Sequence, residues 1–197
     1  MVQRWLSNPR PDFVVLALAG GLTVVAGIVA IVRDLVRILP NRDVPVTVDL
    51  ADVPHELLVN GAVGAEATEA VVRVSGLGPA PFGVVLAAAL LPAITLLVVA
   101  ACFTVLGGSF FRGEFFTRAN LVAINTAAAT LVLASVLTPS LAGTASSSAL
   151  ESLDAVTGQS VVLGLDMSLF LAGFLLAAVG YAFQRGASLK HDTEGLV

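Results

Sequence analysis

The sequence predicts an all-α membrane protein, a four-transmembrane-helix bundle with a small extracytoplasmic β-hairpin-like element between helices 1 and 2. Three observations carry this prediction. Of 197 residues, 57% are hydrophobic and only 12% are charged, whereas soluble domains carry about 25% charged residues. A chain so poor in charge cannot cover a water-facing surface, so lipid becomes its main solvent. Four apolar runs each supply the roughly 20 residues that a helix needs to cross a bilayer. None of these runs alternates in the short segments of a transmembrane barrel. A helix also satisfies its own backbone where no water is present.

The spans fall at about 13–38, 82–106, 118–138 and 161–184, within a single membrane domain covering 1–197. The first apolar run is longer than the ~7–15 residues of a signal-peptide core, and Arg33, Asp34 and Arg37 follow it directly. It is expected to be retained as a helix. Helical spacing continues beyond the run, with Val32, Leu35, Val36 and Leu39 on one face and Pro40 as terminator. The second span contains Pro92, which removes a backbone hydrogen bond and predicts a kink, with Thr95 near enough to help re-satisfy that region. The third is apolar apart from Asn120, Asn125 and a few hydroxyls, and the fourth contains one ionisable residue, Asp166.

Basic residues near helix ends set orientation. Arg4 and Arg10 precede span 1, Arg112 and Arg118 lie between spans 2 and 3, and Arg185 and Lys190 follow span 4. Arg33, Arg37, Arg42 and Arg73 oppose this bias, while the 139–160 connection carries no Lys or Arg. The balance places both termini in the cytoplasm. Lys190 is the only lysine, and abundant Ala, Val, Gly and Leu suggest a GC-rich bacterial genome. The expected location is therefore the bacterial cytoplasmic (inner) membrane, with a multi-pass topology.

The external segments, 40–81 and 139–160, differ in character. In the first, Val44, Val46 and Val48 alternate with Pro45, Thr47 and Asp49, and Ala70 to Leu77 is rich in β-branched residues. Two short strands are predicted. A lone pair is marginal in water, so helix ends or a second subunit must support it. The second segment reads as a short loop, with a surface helix hinted at by Leu150, Leu153 and Val156.

Chemistry-bearing residues are sparse. Asp166 stands out because ionisable groups inside a membrane are costly and often functional. Its expected depth, just inside the outer surface and level with Arg33 and Arg37, favours a structural ion pair or rim acid over a proton or cation site. Asn120 and Asn125 read as interhelical hydrogen-bonding groups. Small residues spaced by four, Ala17/Gly21, Ala119/Ala123/Ala127 and Gly164/Ser168/Ala172, predict close helix approach. Cys102 is the sole cysteine, which excludes an intramolecular disulfide. His55 and His191 flank the spans on opposite sides. No metalloprotease helix, phosphate loop, dinucleotide fingerprint or serine-nucleophile turn is present. No catalytic residue, cofactor or metal site is predicted. The net charge of −4, without a basic stripe, argues against direct nucleic-acid binding.

Two segments carry a resemblance. One reads Gly113-Glu114-Phe115-Phe116-Thr117-Arg118-Ala119-Asn120. The other runs from Ala182 to Val197 and contains Phe183, Arg185, Gly186, Leu189, Asp192 and Glu194. With the four spans, they resemble an uncharacterised bacterial membrane family known as domain of unknown function 2975. The resemblance implies a membrane component of a regulatory pair, because members are often encoded beside a small helix-turn-helix regulator. It supplies no catalytic residues. The matching positions are Gly113, Phe116, Asn120, Phe183, Gly186, Leu189, Asp192 and Glu194; apart from the resemblance, Arg118 and Arg185 are placed by their charge to anchor at headgroups.

The expected function is therefore a non-enzymatic integral membrane protein that meets a cytoplasmic regulator in a sensing or regulatory pair. The alternatives are a small oligomeric transporter or channel, and a lipid-binding envelope protein. The expected partners are the lipid bilayer, a cytoplasmic protein and further copies of the chain as a homo-oligomer.

Overall fold

The computed structural model describes the backbone of residues 10–49, 69–113, 117–151 and 163–194, and side chains over 19–48, 70–113, 117–151 and 163–186. In chain order the elements are α1 (Arg10–Ile38), β1 (Val44–Asp49), β2 (Glu69–Val74), α2 (Pro79–Phe111), α3 (Arg118–Glu151) and α4 (Met167–Glu194). Each helix contains a stretch long and apolar enough to cross a membrane. The two long central helices exceed what a crossing needs. At 1.5 Å per residue, α2 with 33 residues and α3 with 34 are each about 50 Å long, against a hydrocarbon core of about 30 Å.

Local chemistry explains most helix ends. Pro79 and Pro81 occupy the first turn of α2, where a missing N–H leaves nothing unsatisfied. The Gly78 carbonyl accepts the first bond, from the Phe82 N–H at 2.9 Å. At the other end Gly113 adopts φ +73°, and its N–H donates to the Phe110 carbonyl at 3.0 Å. That left-handed terminator suits glycine. Thr117 caps α3, accepting the Asn120 N–H on its hydroxyl at 3.2 Å.

Helix α3 differs most from expectation. It runs through Pro139 to Glu151, so the first half of the connection expected at 139–160 is helical. A proline inside a helix strands the carbonyl four residues back, here that of Ser135. The Asp166 N–H supplies the missing donor at 2.7 Å. Further along, Thr144 Oγ1 donates to the Ser140 carbonyl at 2.8 Å and Ser147 Oγ to the Thr144 carbonyl at 3.0 Å. Hydroxyls bonded within their own helix explain how a serine-rich stretch stays helical. Of the residues that hint at a surface helix, Leu150 lies in the described part of α3, while Leu153 and Val156 lie outside the described residues. Helix α4 starts at Met167, not 161, and residues 163–166 are not helical although Leu163 and Leu165 are apolar. Helix α2 continues through Pro92 without a break.

The chain forms two compact units, and α1, α2 and α3 each contribute to both. One contains α1 up to Ile31, α2 from Pro92, α3 to Ser135, and α4. Its core is the α2–α3 seam of Cys102, Leu106, Ala123, Ile124 and Ala127, with Val98, Phe110, Leu176 and Phe183 packed on it. Glycines set the outer contacts. A methyl at Gly20 would meet Thr104 Oγ1 at 3.1 Å, and one at Gly27 would meet Leu97 Cδ2 at 2.7 Å. On α4, Gly173 faces the backbone of Ala128 and Val132, and Gly180 faces Asn125 and Ile124. Close approach therefore uses glycines seven residues apart, Gly20/Gly27 and Gly173/Gly180, the repeat of a left-handed crossing. Of the four-residue sets expected in α1 and α4, Gly21 meets nothing within 4 Å and Ser168 and Ala172 are exposed, whereas Gly164 makes a close approach, to Pro139; the side chain of Ala17 lies outside the described set. In α3, Ala123 and Ala127 are buried while Ala119 is exposed.

The second unit holds the sheet. β1 and β2 pair antiparallel, with Val44 opposite Val74 and Val48 opposite Ala70. Val44, Val46 and Val48 are buried, and Thr47, Val71 and Arg73 face out, as the alternation predicts. Ile38 of α1, Val85 of α2, and Ala145 and Ala149 of α3 close one core over Val44, Val46, Val74 and Leu77. Val48 packs against Ala70, Val72 and Leu150. Helix ends thus supply the support a two-stranded sheet needs. Pro45 is tolerated because a two-stranded sheet has only edge strands. The inward face of the α1 extension is Ile38, whereas Val32, Val36 and Leu39, expected on a packing face, are exposed.

Candidate functional site

Asp166 is the N-cap of α4. Its Oδ1 accepts the N–H of Ser168 at 2.9 Å and of Leu169 at 3.1 Å, satisfying donors that the first helical turn leaves open. Its own N–H is committed to the Ser135 carbonyl. The acid is therefore at a helix start and not one and a half turns within a span. Its position follows from the neighbouring Gly164. A methyl there would lie 2.6 Å from Pro139 Cβ and 3.3 Å from the Pro139 carbonyl carbon, so only glycine lets the strand-like approach to α4 pass this close. The Gly164 N–H also donates to Ser140 Oγ at 3.3 Å.

Arg33 forms an ion pair with its neighbour Asp34, Nε to Oδ1 at 3.1 Å, in which the arginine side chain is 61% exposed. An exposed pair of this kind contributes at most about 1 kcal/mol. It is the only ion pair among the described residues. Asp166 is thus a helix cap, and the acid that Arg33 pairs with is its own neighbour, Asp34. Arg37 is exposed in the last turn of α1, where its charge favours the negative end of the helix dipole.

The first motif segment and the start of the second converge on the same end of the α2–α3 seam. Gly113 terminates α2, Arg118 opens α3, and Asn120 is fully buried two residues further. Phe183 of α4 stacks on Phe110 of α2, with ring centroids 6.2 Å apart and planes 24° from parallel. Two residues further along α4, Arg185 Nε donates to the Tyr181 hydroxyl at 3.2 Å, and its guanidinium lies 5.6 Å from that ring's centre. Gly186 is half-buried. Asn125, expected to bond across helices, lies against Gly180, whose missing side chain makes room for its amide. Phe116 lies outside the described residues. Leu189, Asp192 and Glu194 belong to α4, but their side chains lie outside the described set.

Among the described residues no group of three or more His, Cys, Asp or Glu side chains could hold a metal. The hydroxyls of Thr23, Thr104 and Thr130 each donate to the carbonyl four residues back, which accounts for their place on apolar helices.

Sequence reasoning missed Asn41. Its side chain clasps the backbone of Leu77, with Nδ2 donating to the carbonyl at 2.9 Å and Oδ1 accepting the N–H at 3.0 Å. The available signal was an Asn directly after a helix-terminating proline, since Asn tolerates the left-handed region better than most residues. Its φ is +50°.

No family model, curated protein or solved structure matches the chain.

Proposed function

We propose that this chain is a non-enzymatic multi-pass protein of the bacterial inner membrane that presents a cytoplasmic surface to a protein partner, a small helix-turn-helix regulator. The observation that carries this reading is the course of α4. The helix continues to Glu194, well beyond the apolar run that closes at Phe183, and the added turns contain Lys190, His191, Asp192 and Glu194. A helix whose last two turns are polar has no use for lipid there and offers charged groups to water or a partner. Its exit is held by the stacking of Phe183 on Phe110. The α4 extension therefore starts from a fixed base beside Gly113 and Arg118, the residues of the other motif segment. The resemblance of these two segments to domain of unknown function 2975 supports a regulator as the partner.

Affinity purification from native membranes, with mass spectrometry of the retained proteins, tests the proposal. The full chain should retain a small DNA-binding protein. A chain lacking Arg185 to Val197 should lose it while keeping its melting temperature. Retention of every partner by the truncated chain would refute docking at this end.

A further inference from the structure

We infer that the membrane-facing groove between α2 and α3 is a binding site for an anionic phospholipid, with the phosphate at Arg118 and an acyl chain along the groove. The groove has a volume of about 550 Å³, within the roughly 300–1,000 Å³ of ligand sites. Ala101 and Val105 of α2 and Ala119, Val122 and Thr126 of α3 line it, with Arg118 as its one charged residue. The alanines leave the furrow open where larger side chains would fill it. From Arg118 to Thr126 it extends eight residues along α3, about 12 Å.

Position and charge together select the ligand. Arg118 is the first residue of α3 and of the apolar stretch that α3 supplies, so it lies where such a stretch meets headgroups. Its side chain is exposed and has no ion-pair partner among the described residues. A lone cation at the polar end of an apolar furrow matches an amphiphile with an anionic head. A second groove, between α1 and α2, makes the contrast. It measures about 240 Å³, is lined by residues including Gly20, Thr23 and Thr104, and carries no charge. It has nothing with which to prefer one headgroup over another.

Native mass spectrometry of the full chain in neutral detergent tests this, with equal amounts of phosphatidylglycerol and phosphatidylcholine bearing the same acyl chains. The wild-type chain should retain phosphatidylglycerol in preference. Arg118→Ala should reduce that preference roughly fivefold, the effect of one basic residue at a membrane surface, and Arg118→Lys should keep most of it. Ala119→Phe, which fills the furrow from an exposed position, should displace both lipids. Arg73→Ala, on the outer face of the sheet, should leave retention unchanged. Equal retention of the two lipids, a preference that survives Arg118→Ala, or an equal loss in Arg73→Ala would each overturn the site. None of these readouts depends on a protein partner.

Discussion

Asn41 and Leu77 are joined by two hydrogen bonds, with the asparagine amide matching both backbone groups of the leucine. The Gly76 N–H adds a third link, to the Asn41 carbonyl at 3.0 Å, and Asp43 N–H donates to Ser75 Oγ at 2.8 Å. These bonds continue the links between the two strands past Val44 and Val74, three through side chains and one through backbone. They tie the exit of α1 to the entry of α2 around the buried side chain of Leu77.

Asn41→Ala should therefore lower the stability of the sheet unit by about 2–3 kcal/mol, from two lost hydrogen bonds and a left-handed backbone that alanine resists. Asn41→Gly keeps the backbone and should cost less. Asn41→Asp removes the donor to the Leu77 carbonyl and should fall nearer alanine. Thermal unfolding in one detergent ranks the three. Equal melting temperatures for Gly and Ala would show that the φ of +50° carries no strain.

Asp166 should behave as a cap. Asp166→Asn retains an acceptor for Ser168 and Leu169 and should be nearly neutral, whereas Asp166→Ala should cost about 1 kcal/mol. A charge-dependent role predicts the reverse pattern, with Asn as damaging as Ala. Comparing the two variants in melting and in partner retention separates the cases.

The glycines should divide by what a methyl would strike. Gly173→Ala meets the Ala128 carbonyl oxygen and the Val132 nitrogen at 3.0 Å, backbone atoms that cannot move aside. It should cost about 1–3 kcal/mol as overpacking. Gly27→Ala meets side-chain atoms alone, Leu97 Cδ2 at 2.7 Å and Cγ at 2.9 Å, and should cost less because a side chain can shift where backbone cannot. Gly21→Ala enters open space and should be neutral or stabilising by up to about 1 kcal/mol. A destabilised Gly21→Ala beside a tolerated Gly173→Ala would invert the assignment of the packing face.

The register of the sheet makes a similar prediction. Val48→Lys buries a charge among Ala70, Val72 and Leu150 and should unfold the unit. Val71→Lys, at a position 66% exposed, should shift stability by no more than about 0.5 kcal/mol. Limited proteolysis of the two variants, compared with wild type, reads the difference directly.

Phe110 and Phe183 should show a coupling of about 0.5–1.5 kcal/mol in a double-mutant cycle to alanine, as expected for a stacked aromatic pair. A coupling near zero would mean that each ring only fills space on the α2–α3 seam.

Much of the fold was legible in residue order, and the reasons are local. Four apolar runs need no partner to be recognised, because length and the absence of charge are properties of a segment. The alternation of Val44, Val46 and Val48 depends only on the two-residue period of a strand. Asn120, Gly113, Arg118 and Phe183 were singled out from motif resemblance, and the described ones meet at one end of the seam. The boundaries were less legible. Pro139 and a serine-rich run read as a loop, since the rescue of the Ser135 carbonyl comes from Asp166, 31 residues later. Leu163 and Leu165 read as helix, since nothing nearby reveals that Gly164 must pass against Pro139.

By itself, then, the sequence determined the number of long apolar helices and the inward face of β1, both consequences of composition and short-range period. Tertiary structure alone decided which small residues form contacts, that α3 continues through Pro139, where α4 begins, and that Asp166 is a cap. Those outcomes depend on distances between segments far apart in the chain. The clasp of Asn41 on Leu77 is of this second kind. An asparagine after a proline announces a turn, but only the folded chain brings a backbone of matching geometry to its amide.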